Sequence, residues 1–259
     1  MVNYDGRMGA AYVAGRAMAQ DEVRRWTGAF AEHVPDRRPL DVLDLGSGVG
    51  RLTPGLAEEF QGRVYGVEPS DRMRAAAEQA PHPNVTYLKG AAEDIPLPEA
   101  SVDVVLMFLS FHHFPDPLQG LREVRRVLRP GGVALLRTQF SDLMPDLFWY
   151  AYFPSAREVD AAMYRSLAAT KALAGAAGLT PGADVVRIAA EEWRTLRQRY
   201  ERLSHRALST FEHLPPDEVE QGFARFAADA ERDPDRVMPV YDATMLVLTR
   251  PSGLLTRPR

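Results

Sequence analysis

The chain has 259 residues, with 31 Lys and Arg against 35 Asp and Glu and no cysteine. A net charge of −4 is the wrong sign for holding nucleic-acid phosphates by counterion release, and without thiols there are no disulfides, thiolate zinc sites, iron–sulfur clusters or cysteine nucleophiles. Its 46% hydrophobic and 25% charged residues are ordinary globular composition, and no apolar run approaches the ~20 residues that cross a bilayer.

Residues 1–38 read as an N-terminal helical lid, with Tyr4, Tyr12 and Arg16 early in it and Val23, Trp26 and Phe30 on the face that packs it down. Asp5 and several polar or Gly breaks interrupt residues 1–10, where a leader peptide needs an unbroken apolar stretch, so the expected location is cytoplasmic. From 39 to 140 short apolar strands alternate with helical segments, the pattern of a parallel sheet covered by helices. Strands are predicted over 41–45, 63–67, 85–88, 103–109 and 132–138, each ending in turn chemistry. Between the last two, Asp116 suits a helix cap and Pro117 the first helical position, and Leu118, Leu121, Val124 and Leu128 form one face. Arg129-Pro130-Gly131-Gly132 is then a tight turn into the fifth strand.

Beyond 140 an aromatic stretch holds Phe140, Phe148, Trp149, Tyr150, Tyr152 and Phe153, either an apolar pocket lining or the packing of a cap. A helix is predicted over about 156–177, stopped by Gly178, and a sixth strand over 184–190. Two amphipathic helices follow, one presenting Trp193, Leu196, Tyr200 and Leu203 and the other Val219, Phe223, Phe226 and Ala230, before a last strand at 241–249. The expectation is one α/β domain spanning 1–259, a doubly wound, mostly parallel sheet of seven strands. Helical insertions follow strands five and six, at 141–180 and 191–238.

The run Val42-Leu43-Asp44-Leu45-Gly46-Ser47-Gly48-Val49-Gly50 carries a buried strand into a glycine loop, and glycines are needed where backbone must turn sharply against a ligand. Dinucleotide loops read G-x-G-x-x-G/A, but counting from Gly46 or from Gly48 puts Arg51 or Thr53 at the last position. The loop reads G-x-G-x-G instead, with no lysine for a pyrophosphate. Glu68 ends the next strand, 22 residues after Gly46, where a carboxylate can accept both hydroxyls of a ribose.

Four ordered blocks, Val42–Gly50, Val64–Ser70, Gly90–Leu97 and Phe111–Gly132, resemble the class I S-adenosylmethionine-dependent methyltransferases, in their type 11 small-molecule branch. The resemblance covers about residues 40–140 and implies a Rossmann-like fold, S-adenosyl-L-methionine as cofactor, and a small-molecule acceptor rather than nucleic acid or membrane. By it Gly46, Ser47, Gly48 and Gly50 would approach the methionine part and ribose, and Asp44 would order the loop or the amine. Glu68, followed by Pro69, would hold the ribose, and Ala92 and Glu93 would lie at the adenine edge, although relatives often carry Asp where this chain has Ala91. Tyr12 and Arg16 would face the cofactor carboxylate, a bidentate pairing that suits a guanidinium.

Transfer from a sulfonium needs an acceptor lone pair on line and, for a protic acceptor, a base. His112 and His113 follow strand four, where either suits that role or a packing role. Asp142 and Asp146 lack further ligands and read as a loop acid and a cap, so no metal is expected. Whether oxygen, nitrogen or carbon is methylated stays open, as do two alternatives: a cyclase of the same fold, and a catalytically silent cofactor-binding protein.

Overall fold

A computed structural model describes residues 18–189 and 194–253. They fall into two compact units, one of residues 18–138, 168–186 and 245–253, the other of 139–167 and 187–244.

The first unit is the sheet with its helices: α1 (Gln20–Ala31), β1 (Leu40–Leu45), α2 (Thr53–Phe60), β2 (Gln61–Val67), α3 (Asp71–Ala77), β3 (Val85–Leu88), β4 (Val102–Phe108), α4 (Pro117–Val127) and β5 (Leu128–Arg137). Strand order is β3-β2-β1-β4-β5, all parallel, and then β10 (Ala243–Thr249) and β6 (Thr180–Pro181), both antiparallel to their neighbours. β7 (Val186–Ile188) also pairs with β10, giving an eight-stranded sheet where seven strands were predicted. The extra strand is β6, two residues long and without a periodic signal.

β4 is buried at all seven positions, as a central parallel strand covered on both faces must be. The predicted start of strand five at 132 lies inside β5, because Arg129–Gly132 bulge between the pairs Val102↔Leu128 and Val104↔Val133 without ending the strand. The strand order reverses between β1 and β4, so the crevice at their carboxyl ends is the place for a ligand.

The second unit is helical: α5 (Ala156–Met163), the start of α6 (Leu167–Ala176), α7 (Leu196–Ser204) and α8 (Pro216–Arg232), with a two-stranded ribbon of β8 (Arg194–Thr195) and β9 (Val237–Met238). Its core takes up Trp149, Tyr150, Tyr152 and Phe153 with Leu196, Phe211, Phe223 and Phe226. Tyr152 stacks on Phe226 at 4.4 Å between ring centroids. These aromatic residues therefore pack the unit itself. Buried Asp160 is held by the hydroxyls of Thr210 at 2.6 Å and Tyr150 at 2.9 Å, and burial raises its carboxyl above the usual range.

The single helix predicted over 156–177 is interrupted at 164–166. Ser141 N–H donates to the Arg165 carbonyl, and the Asp142 carboxylate accepts the Leu167 N–H at 2.8 Å, capping α6 from 25 residues away. Trp193, expected on the following helix, lies outside the described residues, and α7 begins at Leu196 behind a Thr195/Gln198 capping box.

Candidate functional site

β1 runs into the loop at Gly46–Gly50, whose backbone turns through φ of +77°, +58° and +75° at Gly46, Gly48 and Gly50. That region is unstrained only for glycine. Two positions are also steric necessities. A Cβ on Gly46 would stand 2.5 Å from Cβ of Ser110, and one on Gly50 2.2 Å from the phenol oxygen of Tyr87. The N–H groups of Gly46 and Ser47 both donate to the Val67 carbonyl, at 2.8 and 3.2 Å, which fastens the loop to the end of β2.

Glu68 closes the loop from the other side. Its carboxylate, 6% exposed, accepts the Gly48 N–H at 3.0 Å and the Ser70 N–H at 2.9 Å, with exposed Pro69 between. Ser70 in turn caps α3 by accepting the Met73 N–H. The acid expected to hold a ribose thus also shapes the loop. An ionised carboxylate accepts from several donors at once, so the two tasks are compatible.

Asp44, the last-but-one residue of β1, is 3% exposed and accepts the Thr53 hydroxyl at 2.7 Å. Burial raises its carboxyl to about 6; the Thr53 hydrogen bond and the charge of Arg51 oppose that rise, and the charge of Glu68 adds to it. Near neutral pH Asp44 and Glu68 place negative charge beside the loop's N–H groups. This set suits a ligand that brings a diol and a cationic end, and it does not suit a pyrophosphate.

The exit of β4 is pinned to the exit of β1. Leu109 turns at φ +55°, uncommon for a side chain of its kind, and the Ser110 hydroxyl donates to the Leu45 carbonyl at 2.7 Å. The turn delivers a 3₁₀ segment, Phe111–His113, on which the half-buried rings of His112 and His113 lie 3.9 Å apart between centroids. Phe108, at the end of β4, meets Trp26 of α1 edge-on at 4.9 Å, and the guanidiniums of Arg51 and Arg137 lie 5.5 and 5.4 Å from its centroid.

After β3, Ala92 is buried, and the Glu93 carboxylate accepts the Asp116 N–H at 3.0 Å, where Asp116 caps α4. Glu93 is thereby tied to the start of α4. Tyr4, Tyr12 and Arg16 lie outside the described residues. Asp142 caps α6 and Asp146 pairs with Arg157 at 2.6 Å; among the described residues no three His, Cys, Asp or Glu are grouped to hold a metal. Sequence reasoning missed Thr53, Tyr87 and Ser110. Only Ser110 left a trace, as a small polar residue placed where β4 ends.

Residues 43–136 match the family profile described as a methyltransferase domain. Over 83% of this chain and 81% of the relative, the sequence is 29% identical to 27-O-demethylrifamycin SV methyltransferase of Amycolatopsis mediterranei. Several further curated relatives, among them demethylmenaquinone methyltransferase of Chlorobaculum tepidum at 36% identity, are matched over less than half of their own length. Among solved structures, a protein described as a methyltransferase from an antibiotic biosynthesis pathway of Anabaena variabilis superposes with a TM-score of 0.69 at 27% identity, covering 87% of this chain and 96% of that one. The [4+2]-cyclase SpnF shares the fold, with a TM-score of 0.60 at 20% identity over 92% of this chain and 84% of its own. No described helix is long and apolar enough to cross a membrane.

Proposed function

We propose that the chain is a class I S-adenosylmethionine-dependent methyltransferase and that it methylates a small-molecule acceptor at oxygen, nitrogen or carbon. The observation that carries this reading is the closure of Glu68 onto the Gly48 N–H beside buried Asp44, a glycine-loop cradle lined by two acids. The small-molecule part is supported by the rifamycin-type relative, whose match extends well beyond the cofactor core. Hydroxyl acceptors are the first to screen, because that relative is named for an O-demethylated compound.

When bound, S-adenosylmethionine supplies a methyl group on a cationic sulfur. Glu68 orients the ribose while it holds the loop; Asp44 favours the cationic end; Ala92 and Glu93 border the adenine. Tyr12 and Arg16 are assigned to the cofactor carboxylate, and the helical insertions to acceptor selectivity. His112 or His113 takes the proton of a protic acceptor, since an imidazole is partly neutral near pH 7.

Calorimetric titration with S-adenosylmethionine, S-adenosylhomocysteine and NAD tests the premise. Micromolar binding of the first two and none of NAD is expected, with Glu68→Ala weakening it by about 1–3 kcal/mol, the range for a hydrogen bond to a charged group. Binding of NAD alone sinks the reading. A second reading, cofactor binding without methyl transfer, draws on the fold shared with the cyclase; mass-spectrometric detection of a methylated product separates the two. With a turned-over acceptor, His112→Gln or His113→Gln should slow the rate roughly 10²-fold at unchanged cofactor affinity. If neither variant slows it, neither histidine is the base.

A further inference from the structure

Tyr87 belongs to no motif, yet its side chain lies directly against the glycine loop. It is the third residue of β3 and stands in register with Gly66 of β2. Its ring lies across that glycine: a Cβ on Gly66 would come within 2.5 and 2.7 Å of two ring carbons. At the far end of the ring, the phenol oxygen occupies the space that a Cβ on Gly50 would need, with the Ala77 methyl beside it. The hydroxyl is buried and faces Thr53 and Asp44. One aromatic side chain thus spans from the middle of β2 to the last glycine of the loop.

We propose that Tyr87 is a positioning residue of the cofactor site: its ring fixes how deep the glycine loop sits at Gly50, and with Thr53 it keeps water from the Asp44 carboxylate. This rests on reading the loop as the S-adenosylmethionine site. Among the described residues, the titratable and charged groups facing Asp44 are Arg51 from the loop, Glu68 after β2 and Tyr87 from β3, with the Thr53 hydroxyl of α2 as its donor. Burial dominates the raised carboxyl of Asp44, so a smaller side chain at position 87 that admits water lowers it toward the ordinary aspartate value. It also leaves Gly50 without its floor. Burial is likewise the largest cause of the raised Tyr87 phenol, which therefore stays neutral at working pH and acts through shape and dipole.

The test uses the full chain with Tyr87→Val, a residue that suits a strand, and Tyr87→Phe, which keeps the ring. The carboxyl carbon of Asp44 is titrated by NMR in the ligand-free protein between pH 4 and 8, and S-adenosylhomocysteine affinity is measured by calorimetry. The expected result for a folded Tyr87→Val protein is an Asp44 midpoint about one pH unit lower or more and roughly tenfold weaker binding. Tyr87→Phe should hold affinity within about threefold without lowering the midpoint. A folded Tyr87→Val protein with the wild-type midpoint overturns the proposal, as does a Tyr87→Phe protein that loses as much affinity as the valine variant. Tyr87→Met, flexible enough to fill part of the ring's volume, provides the same comparison should the valine variant not fold. If wild-type protein does not bind S-adenosylhomocysteine, the cofactor reading falls, while the Asp44 midpoints still decide the role of Tyr87.

Discussion

Burial raises the Asp44 carboxyl from 3.8 to about 6, because its direct donor is a neutral hydroxyl and Arg51 acts only through its charge. In the unfolded chain the group titrates near 3.8, so between these values the native protein holds the extra proton. Its contribution to stability is therefore complete below about 3.8 and is lost as pH rises through about 6. Above that window the buried anion costs of order 3 kcal/mol, from about 1.4 kcal/mol for each pH unit of difference. Asp44→Asn keeps an acceptor for Thr53 and removes the charge. Thermal melting at pH 7.5 should therefore show a ligand-free variant several degrees more stable than wild type, with the gap narrowing as pH falls below about 6 and closing below about 3.8. Calorimetry should show S-adenosylhomocysteine bound at least tenfold more weakly. No gain in melting temperature at pH 7.5 would sink the claim that the ionised acid is held at a cost.

The elements that build the site were the legible ones. β1 to β4 fall within two residues of their predicted bounds, because each is rich in Val, Leu or Tyr and meets Gly, Pro or Ser within two residues of its end. The glycine loop was legible for the same reason that it exists: a backbone with repeated positive φ calls for glycine at each such position, and G-x-G-x-G supplies it. What could not be read were contacts made by residues far apart in sequence. Tyr87 meets Gly50 across 37 positions, and Ser110 reaches the Leu45 carbonyl across 65. The break before α6 has the same origin, since local propensity favours one long helix through the Ala-rich run and the decisive cap, Asp142, lies in a distant loop. Strand six, predicted over 184–190, shortens to Val186–Ile188, where a weak apolar pattern overstated the length. Thr180–Pro181 joins the sheet through only two residues, too few to carry a period.

Across the sheet unit as a whole, the two ends of β1 and β4 treat their acids in opposite ways. At the amino end, Asp103 is 3% exposed, yet it accepts from the guanidiniums of Arg37 and Arg129 and from the Asp41 N–H at 2.9 Å, while Arg129 also reaches Asp41 at 2.8 Å. No ligand is needed there, and the charges are matched within the chain. At the carboxyl end, among the described residues, Asp44 has burial with only a neutral hydroxyl as its hydrogen-bond donor, which suits the proposed cationic ligand. On the proposed reading, stability and binding fall to opposite edges of the same two strands. Asp103→Asn should remove the anion that two arginines surround. Both arginines are partly solvated, so the loss is discounted from the cost of breaking a fully buried pair to roughly 1–3 kcal/mol. Urea unfolding should record that loss with an unchanged m-value, and S-adenosylhomocysteine affinity should stay within about twofold, because the amino end is remote from the loop along each strand. The opposite signs expected for Asp44→Asn and Asp103→Asn are the decisive comparison. If both variants lose stability, or if Asp103→Asn weakens the cofactor as much as Asp44→Asn does, the division of labour between the two edges fails.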